Sequence, residues 1–160
     1  NRDIHNLKIV ICDFGYSKKF MKDEKDDRFV GTPQFIAPEV VNHKLYDNKI
    51  DIFSLGCSLF FMLTKKFVYT SPRRNRAQWK LEAQNAAIHY EILNEKKISD
   101  DAIDLIRSMC QKDPNDRITI ERALHHPWIL NERKTTQTET DVLNNLFQAE
   151  RRDQDGDVLG

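Results

Sequence analysis

The chain has 160 residues, 39% hydrophobic and 31% charged, with 25 basic and 25 acidic side chains. That balance suits one globular domain, or a large piece of one, with enough apolar material for a real core. A formal charge of zero provides no field to favour nucleic acid or an anionic membrane, and neither is expected as a partner. Cys12, Cys57 and Cys110 are odd in number, far apart and set in apolar runs. They read as buried thiols in a reducing, intracellular setting, cytoplasmic or nuclear, not as disulfides or a zinc site.

In chain order, Asn1 to Asn6 is polar and lacks an initiating methionine, which is expected of the interior of a longer chain. Leu7 to Cys12 is short, rich in β-branched residues and bounded by Asn6 and Asp13, so it predicts a strand. Tyr16 to Val30 is highly charged and aperiodic, which predicts a long solvated loop. Gly31-Thr32-Pro33 breaks regular structure, and Pro38 opens a short helix through about Asn42. Asp47-Asn48 caps a central helix from Lys49 to about Thr64, apolar on nearly every face. Its run from Ile52 to Leu63 is a dozen uncharged residues, short of the roughly 18 to 20 that a bilayer span requires.

Ser71 to Arg76 predicts a basic loop. Ala77 to Leu93 predicts a helix with Leu81, Ile88 and Ile92 on one face. Ser99 begins another, striped by Ala102, Ile103, Leu105, Ile106 and Met109 and ending before Lys112-Asp113-Pro114. Thr119 caps a last one carrying Ile120, Ala123 and Leu124, stopped by Pro127. Beyond Trp128-Ile129 the chain turns polar, with an amphipathic patch at Val142, Leu143, Leu146 and Phe147. The expected division is a folded part over 1–132 and a polar tail over 133–160.

Four motifs stand in one order: Asp13-Phe14-Gly15 after a strand, Ala37-Pro38-Glu39 after the glycine-threonine turn, Asp51-Ile52-Phe53-Ser54-Leu55-Gly56 opening the central helix, and Asp113-Pro114 with Arg117 ahead of His126-Pro127-Trp128. Any one tripeptide recurs by chance, whereas the ordered set over residues 7 to 130 resembles the large lobe of eukaryotic protein kinases. The resemblance implies a mainly α fold: a partial kinase large, C-terminal lobe with a short N-terminal β-strand or hairpin.

It implies further that Asp13 ligates Mg²⁺ against the phosphates of ATP, because charge spreads over the phosphoryl oxygens during transfer and a hard carboxylate suits that cation. On the same grounds Cys12, Phe14 and Gly15 belong to the nucleotide site. Taken without the resemblance, Asp13 is a turn residue, Phe14 ordinary core and Cys12 an inert buried thiol. Gly31, Thr32 and Pro33 are implied to position a protein substrate, in the serine/threonine version of that loop. Glu39 and Arg117 are implied to form a buried ion pair, and Asp51 to anchor the catalytic-loop backbone. These last three are structural supports.

Asn1-Arg2-Asp3-Ile4 invites a reading as the catalytic loop. However, the family places an asparagine five residues after the catalytic aspartate, and Lys8 stands there. The nine residues from Ile4 to Cys12 are also too few for the rest of that loop and a hairpin. The general base is therefore expected upstream, and none is assigned here. No Ser or Thr lies between Lys18 and Val30, so the usual phosphate acceptor of the loop is missing and Arg28 takes its place. The acidic run Asp23, Glu24, Asp26 and Asp27 either substitutes for that phosphate, by pairing with a catalytic-loop arginine, or is a plain solvated surface. Asp13 to Lys18 and Ser99 to Ile106 look most like the calcium/calmodulin-dependent kinase group.

The expected function is phosphorylation of protein serine or threonine by a longer parent, the fragment alone being inactive. The alternative is a pseudokinase or scaffold without turnover. A regulatory protein acting through the tail is a further expectation. Asp153 to Asp157 resembles the start of an EF-hand loop, but Val158 stands where that loop requires glycine, so a disordered acidic tail is the default.

Overall fold

The computed structural model describes residues 10–21, 23–69 and 75–131. The polar segment Asn1 to Asn6, the first half of the predicted strand, most of the basic loop at Ser71 and all of the tail lie outside them. So do the amphipathic patch at Val142, the stretch from Asp153 and the expected boundary after residue 132.

Among the described residues the structure is helical and has no strand, and Val10 to Cys12 carry no pairing. Single 3-10 turns at Phe14–Tyr16 and Pro33–Phe35 precede the helices. These are α1 (Pro38–Val41), α2 (Lys49–Thr64), α3 (Arg76–Asn85), α4 (Glu91–Glu95), α5 (Asp100–Met109) and α6 (Ile120–Leu124). Residues 127–131 form one further helical turn. No described helix is long and apolar enough to cross a membrane.

The core forms around α2. Its N-terminus is closed by Asp47, whose Oδ1 accepts the Lys49 N–H at 3.0 Å. Phe53, Cys57, Leu59 and Phe60 are buried on several sides of the helix, while Leu55 and Met62 are exposed on the remaining one. Helix α5 packs across α2 with Ala102, Ile103, Leu105, Ile106 and Met109 all buried. Each of the large ones contributes about 1.5 to 3 kcal/mol through removal from water. The two helices approach so closely at Gly56 that an added Cβ would lie 2.6 Å from Cys110 Sγ and 2.9 Å from Met109 Cβ.

Two expectations are corrected here. The predicted helix over Ala77 to Leu93 is two helices, because Ala86 takes the left-handed conformation (φ 48°) and ends α3. The Ala86 N–H returns to the Ala83 carbonyl and the Ala87 N–H to that of Glu82, a reversal that satisfies the last carbonyls. The break separates the predicted stripe: Ile88 is buried but Leu81 is 61% exposed. In α6 only Ala123 is buried, whereas Ile120 and Leu124 are more than two-fifths exposed, because the helix rests on the core by one narrow edge.

Gly56→Ala is expected to destabilise the protein by about 1 to 3 kcal/mol, since either α5 or the new methyl must shift in a packed interior. A drop in the denaturant midpoint of the full-length protein, with an unchanged slope, measures it.

Candidate functional site

Arg117 is fully buried, and all five of its N–H donors are used. Nη1 donates to Glu39 Oε1 at 2.7 Å and to the Lys49 carbonyl at 2.7 Å. Nη2 donates to Glu39 Oε2 at 3.0 Å and to the Gln111 carbonyl at 3.0 Å. Nε completes the set with Gln111 at 3.2 Å, and the guanidinium lies 5.0 Å from the centre of the Phe53 ring. The planar fork thereby ties α1, the start of α2 and the loop after α5 into one unit. It does not line the main cleft.

That cleft, about 720 Å³ in volume, is lined by Cys12, Asp13, Phe14, Gly31, Thr32 and Asp51 among others. Six of the residues singled out from sequence thus come from three separate segments to one surface. Gly15 and Pro33 sit beside it in the two 3-10 turns. Asp13 has φ 64°, a left-handed conformation that aspartate tolerates better than most residues. Its carboxylate takes no hydrogen bond from a described residue. Gly15 needs no special freedom in this state, because a Cβ there would meet Asp13 Oδ1 at 3.4 Å, ordinary contact. Gly31 does need it, with φ at 117°.

Two placements differ from the sequence reading. Cys12 is exposed rather than buried, and Phe14 is 65% exposed on the cleft rather than packed in a core. Both belong to a run from Val10 to Gly15 that no described apolar surface covers. Asp51 lies in the first turn of α2 with its carboxylate facing the cleft and open to solvent. Partial desolvation by the cleft wall pushes its pKa up.

The charged loop holds a structure that its composition does not announce. Asp26 is buried, and its carboxylate accepts the backbone N–H groups of Asp27 and Arg28 at 2.8 and 3.0 Å. The Arg28 guanidinium closes on it at 2.9 Å and Lys18 Nζ at 3.4 Å. The Asp26 and Tyr46 main chains exchange hydrogen bonds at 2.8 Å each, and the Tyr46 hydroxyl donates to the Arg28 carbonyl at 2.9 Å. Lys25 pairs with Asp47 nearby. Asp26 is therefore neither a solvated surface group nor free for an arginine elsewhere: Arg28 and Lys18 already hold it. No periodicity could have singled it out among its acidic neighbours.

The loop from Gly31 to Ile36 is suspended by its carbonyls. Ser54 Oγ of α2 donates to the Phe35 carbonyl at 2.8 Å, and the buried Tyr69 hydroxyl reaches that of Ile36 at 3.5 Å. Sequence reasoning missed Ser54 and Tyr69, since a lone hydroxyl carries no spacing signal. Among the described residues no group of three or more His, Cys, Asp or Glu side chains could hold a metal. The Asp13 carboxylate, held by no described residue, fits Mg²⁺ because that ion takes one or two carboxylates and completes its shell with phosphates and water.

Arg117→Leu is expected to cost about 3 to 5 kcal/mol, through the Glu39 charge left buried without its partner, read as a fall in the unfolding midpoint. The hydrogen bonds from Arg28, with the Lys18 contact, hold the Asp26 carboxyl well below the usual carboxylate range. A depressed folded pKa gives stability that is present above the unfolded value of about 4 and lost as pH falls through the folded one. The stability difference between wild type and Asp26→Asn should hence be widest near neutral pH and shrink below about pH 4, as urea titrations at both pH values would show.

Comparison with known proteins places this geometry. The protein kinase domain family matches residues 3–129. The serine/threonine-protein kinase SAPK3 of Oryza sativa subsp. indica is 36% identical over 122 residues, covering 76% of this chain and 36% of that protein. The serine/threonine-protein kinase SRK2F of Arabidopsis thaliana is 35% identical over 121 residues, covering 75% and 35%. Among solved structures, the Rad53 kinase domain with SCD2 in complex with AMPPNP matches with a TM-score of 0.54 at 34% identity, over 60% of this chain and 37% of that one. The chain spans about a third of the length of the curated relatives it matches. With most of its length matched, this chain belongs to the protein kinase domain family.

Proposed function

We propose that this chain forms the helical part of a protein kinase that moves the terminal phosphate of ATP to serine or threonine hydroxyls of protein substrates. The observation that carries the reading is the Asp13 carboxylate, held by no described residue, on the same cleft as Thr32 and Asp51. Asp13 would hold Mg²⁺, which when bound neutralises charge on the phosphoryl oxygens. Cys12, Phe14 and Gly15 would border the nucleotide. Gly31, Thr32 and Pro33 would seat the substrate segment, held in place by Ser54 and Tyr69. Glu39 and Arg117 would keep that loop on the helical base, and Asp51 would fix the catalytic-loop backbone.

No residue of this chain is given the general-base role; in this proposal it belongs to another part of the parent protein, and the present chain alone is inactive. The segments Asp13 to Lys18 and Ser99 to Ile106 favour the calcium/calmodulin-dependent group within serine/threonine kinases. A cytoplasmic or nuclear setting and a regulatory partner for the 133–160 tail belong to the same proposal, as does the division at residue 132.

Asp13→Ala in the full-length protein is expected to lower phosphate transfer by at least about a hundredfold while leaving the unfolding midpoint nearly unchanged, measured with radiolabelled ATP and a protein acceptor. Transfer that survives the substitution would remove Asp13 from the metal role. A wild-type parent that binds ATP without transferring phosphate would be a scaffold instead.

A further inference from the structure

The carbonyl of Pro33, the residue after Thr32, accepts a hydrogen bond from the Trp79 indole Nε1 at 3.1 Å. Trp79 lies near the start of α3, half-buried against the core and 46 residues away in sequence. It is the first of three side chains that hold consecutive parts of this loop from different elements. Ser54 and Tyr69 take the Phe35 and Ile36 carbonyls from α2 and from the segment following it. Those two supports are rooted in or beside the core. Trp79 instead hangs from a helix whose other side faces solvent, with Gln78, Lys80 and Leu81 exposed.

Helix α3 is well placed to act as a fixed arm. The Asn75 side chain caps it by accepting the Gln78 N–H at 3.1 Å. Farther along, Asn42 Nδ2 at the end of α1 donates to the Gln84 carbonyl of α3 at 3.2 Å. The arm thus meets the 33–42 segment at two points, one at each end, and the point nearest Thr32 is the indole bond. Proline has no N–H, so position 33 can be fixed by hydrogen bonding only through its carbonyl.

We propose that Trp79 is a positioning residue for the protein substrate: its indole N–H sets the position of Pro33, and so of the Thr32 loop on which the acceptor segment rests. The inference rests on the kinase reading above. It assigns α3 a part in substrate affinity that neither its composition nor its solvent-exposed face suggests. Trp79 is not among the residues that line the cleft with Asp13, so the influence assigned to it falls on the protein substrate and not on ATP.

The test is Trp79→Phe in the full-length protein, which keeps the ring and removes the donor, assayed with dephosphorylated casein. The KM for casein is expected to rise about three- to tenfold, the loss that one ordinary hydrogen bond explains. The kcat and the KM for ATP should stay within about twofold, with the unfolding midpoint unchanged. An unaltered casein KM overturns the inference. So does a parallel loss of kcat, ATP affinity and thermal midpoint, which would make Trp79 a packing residue only. Absence of any transfer by the unsubstituted protein overturns the kinase reading itself, and the inference with it.

Discussion

A buried guanidinium is costly unless its donors are satisfied, and Arg117 places all of them on Glu39, Lys49 and Gln111. These partners come from three separate parts of the chain. The carboxylate fixes α1, the Lys49 carbonyl fixes the first turn of α2, and the Gln111 carbonyl fixes the loop that follows α5. Such a buried pair adds little net stability over well-packed apolar groups. Its value lies in uniqueness: a planar fork with five directional donors accepts one arrangement of its neighbours, whereas a hydrophobic contact accepts many.

From that junction the functional surfaces follow in sequence. With α1 held, the residues just before it must lie over α2, where Ser54 and Tyr69 take up their carbonyls. With α2 held, Asp51 at its first turn faces the cleft that also receives Asp13 and Thr32. The loop from Tyr16 to Val30 joins the same frame from the other side, through the Asp26 and Tyr46 main-chain exchange beside Asp47. Two opposite arrangements of polar groups thus serve one cleft. Asp26 on the cleft wall and Arg117 behind it are held by several hydrogen bonds each, while no described residue holds the Asp13 carboxylate.

Much of this was legible in the residues themselves. The central helix showed in the apolar run after Asp47-Asn48, and α5 in the strict stripe behind Ser99. What escaped the sequence has identifiable physical causes. Helices α1, α3 and α4 all turn back through a left-handed residue that is not glycine: His43, Ala86 and Lys97. Each costs about 1 to 2 kcal/mol relative to the right-handed form, and none is the glycine by which such an ending is usually recognised. That is why a single helix from Ala77 to Leu93 looked continuous. The Asp26 anchor escaped for another reason. Its partners Lys18, Arg28 and Tyr46 are ordinary surface residues by type, and only the fold brings a buried carboxylate between them. Cys12 and Phe14 stand exposed although their sequence run is apolar, because no described surface covers them.

The three thiols end up in contrasting surroundings. Cys57 and Cys110 are enclosed between α2 and α5, where burial pushes the Cys57 thiol up and keeps it from becoming a nucleophile. Cys12 stands open at the lip of the cleft, directly before Asp13. The described part of the molecule therefore carries a built-in single attachment point: a maleimide dye or spin label would settle at the mouth of the cleft and leave the interior untouched. Such a reporter would sit one residue from the group expected to meet the cation, close enough to register what enters.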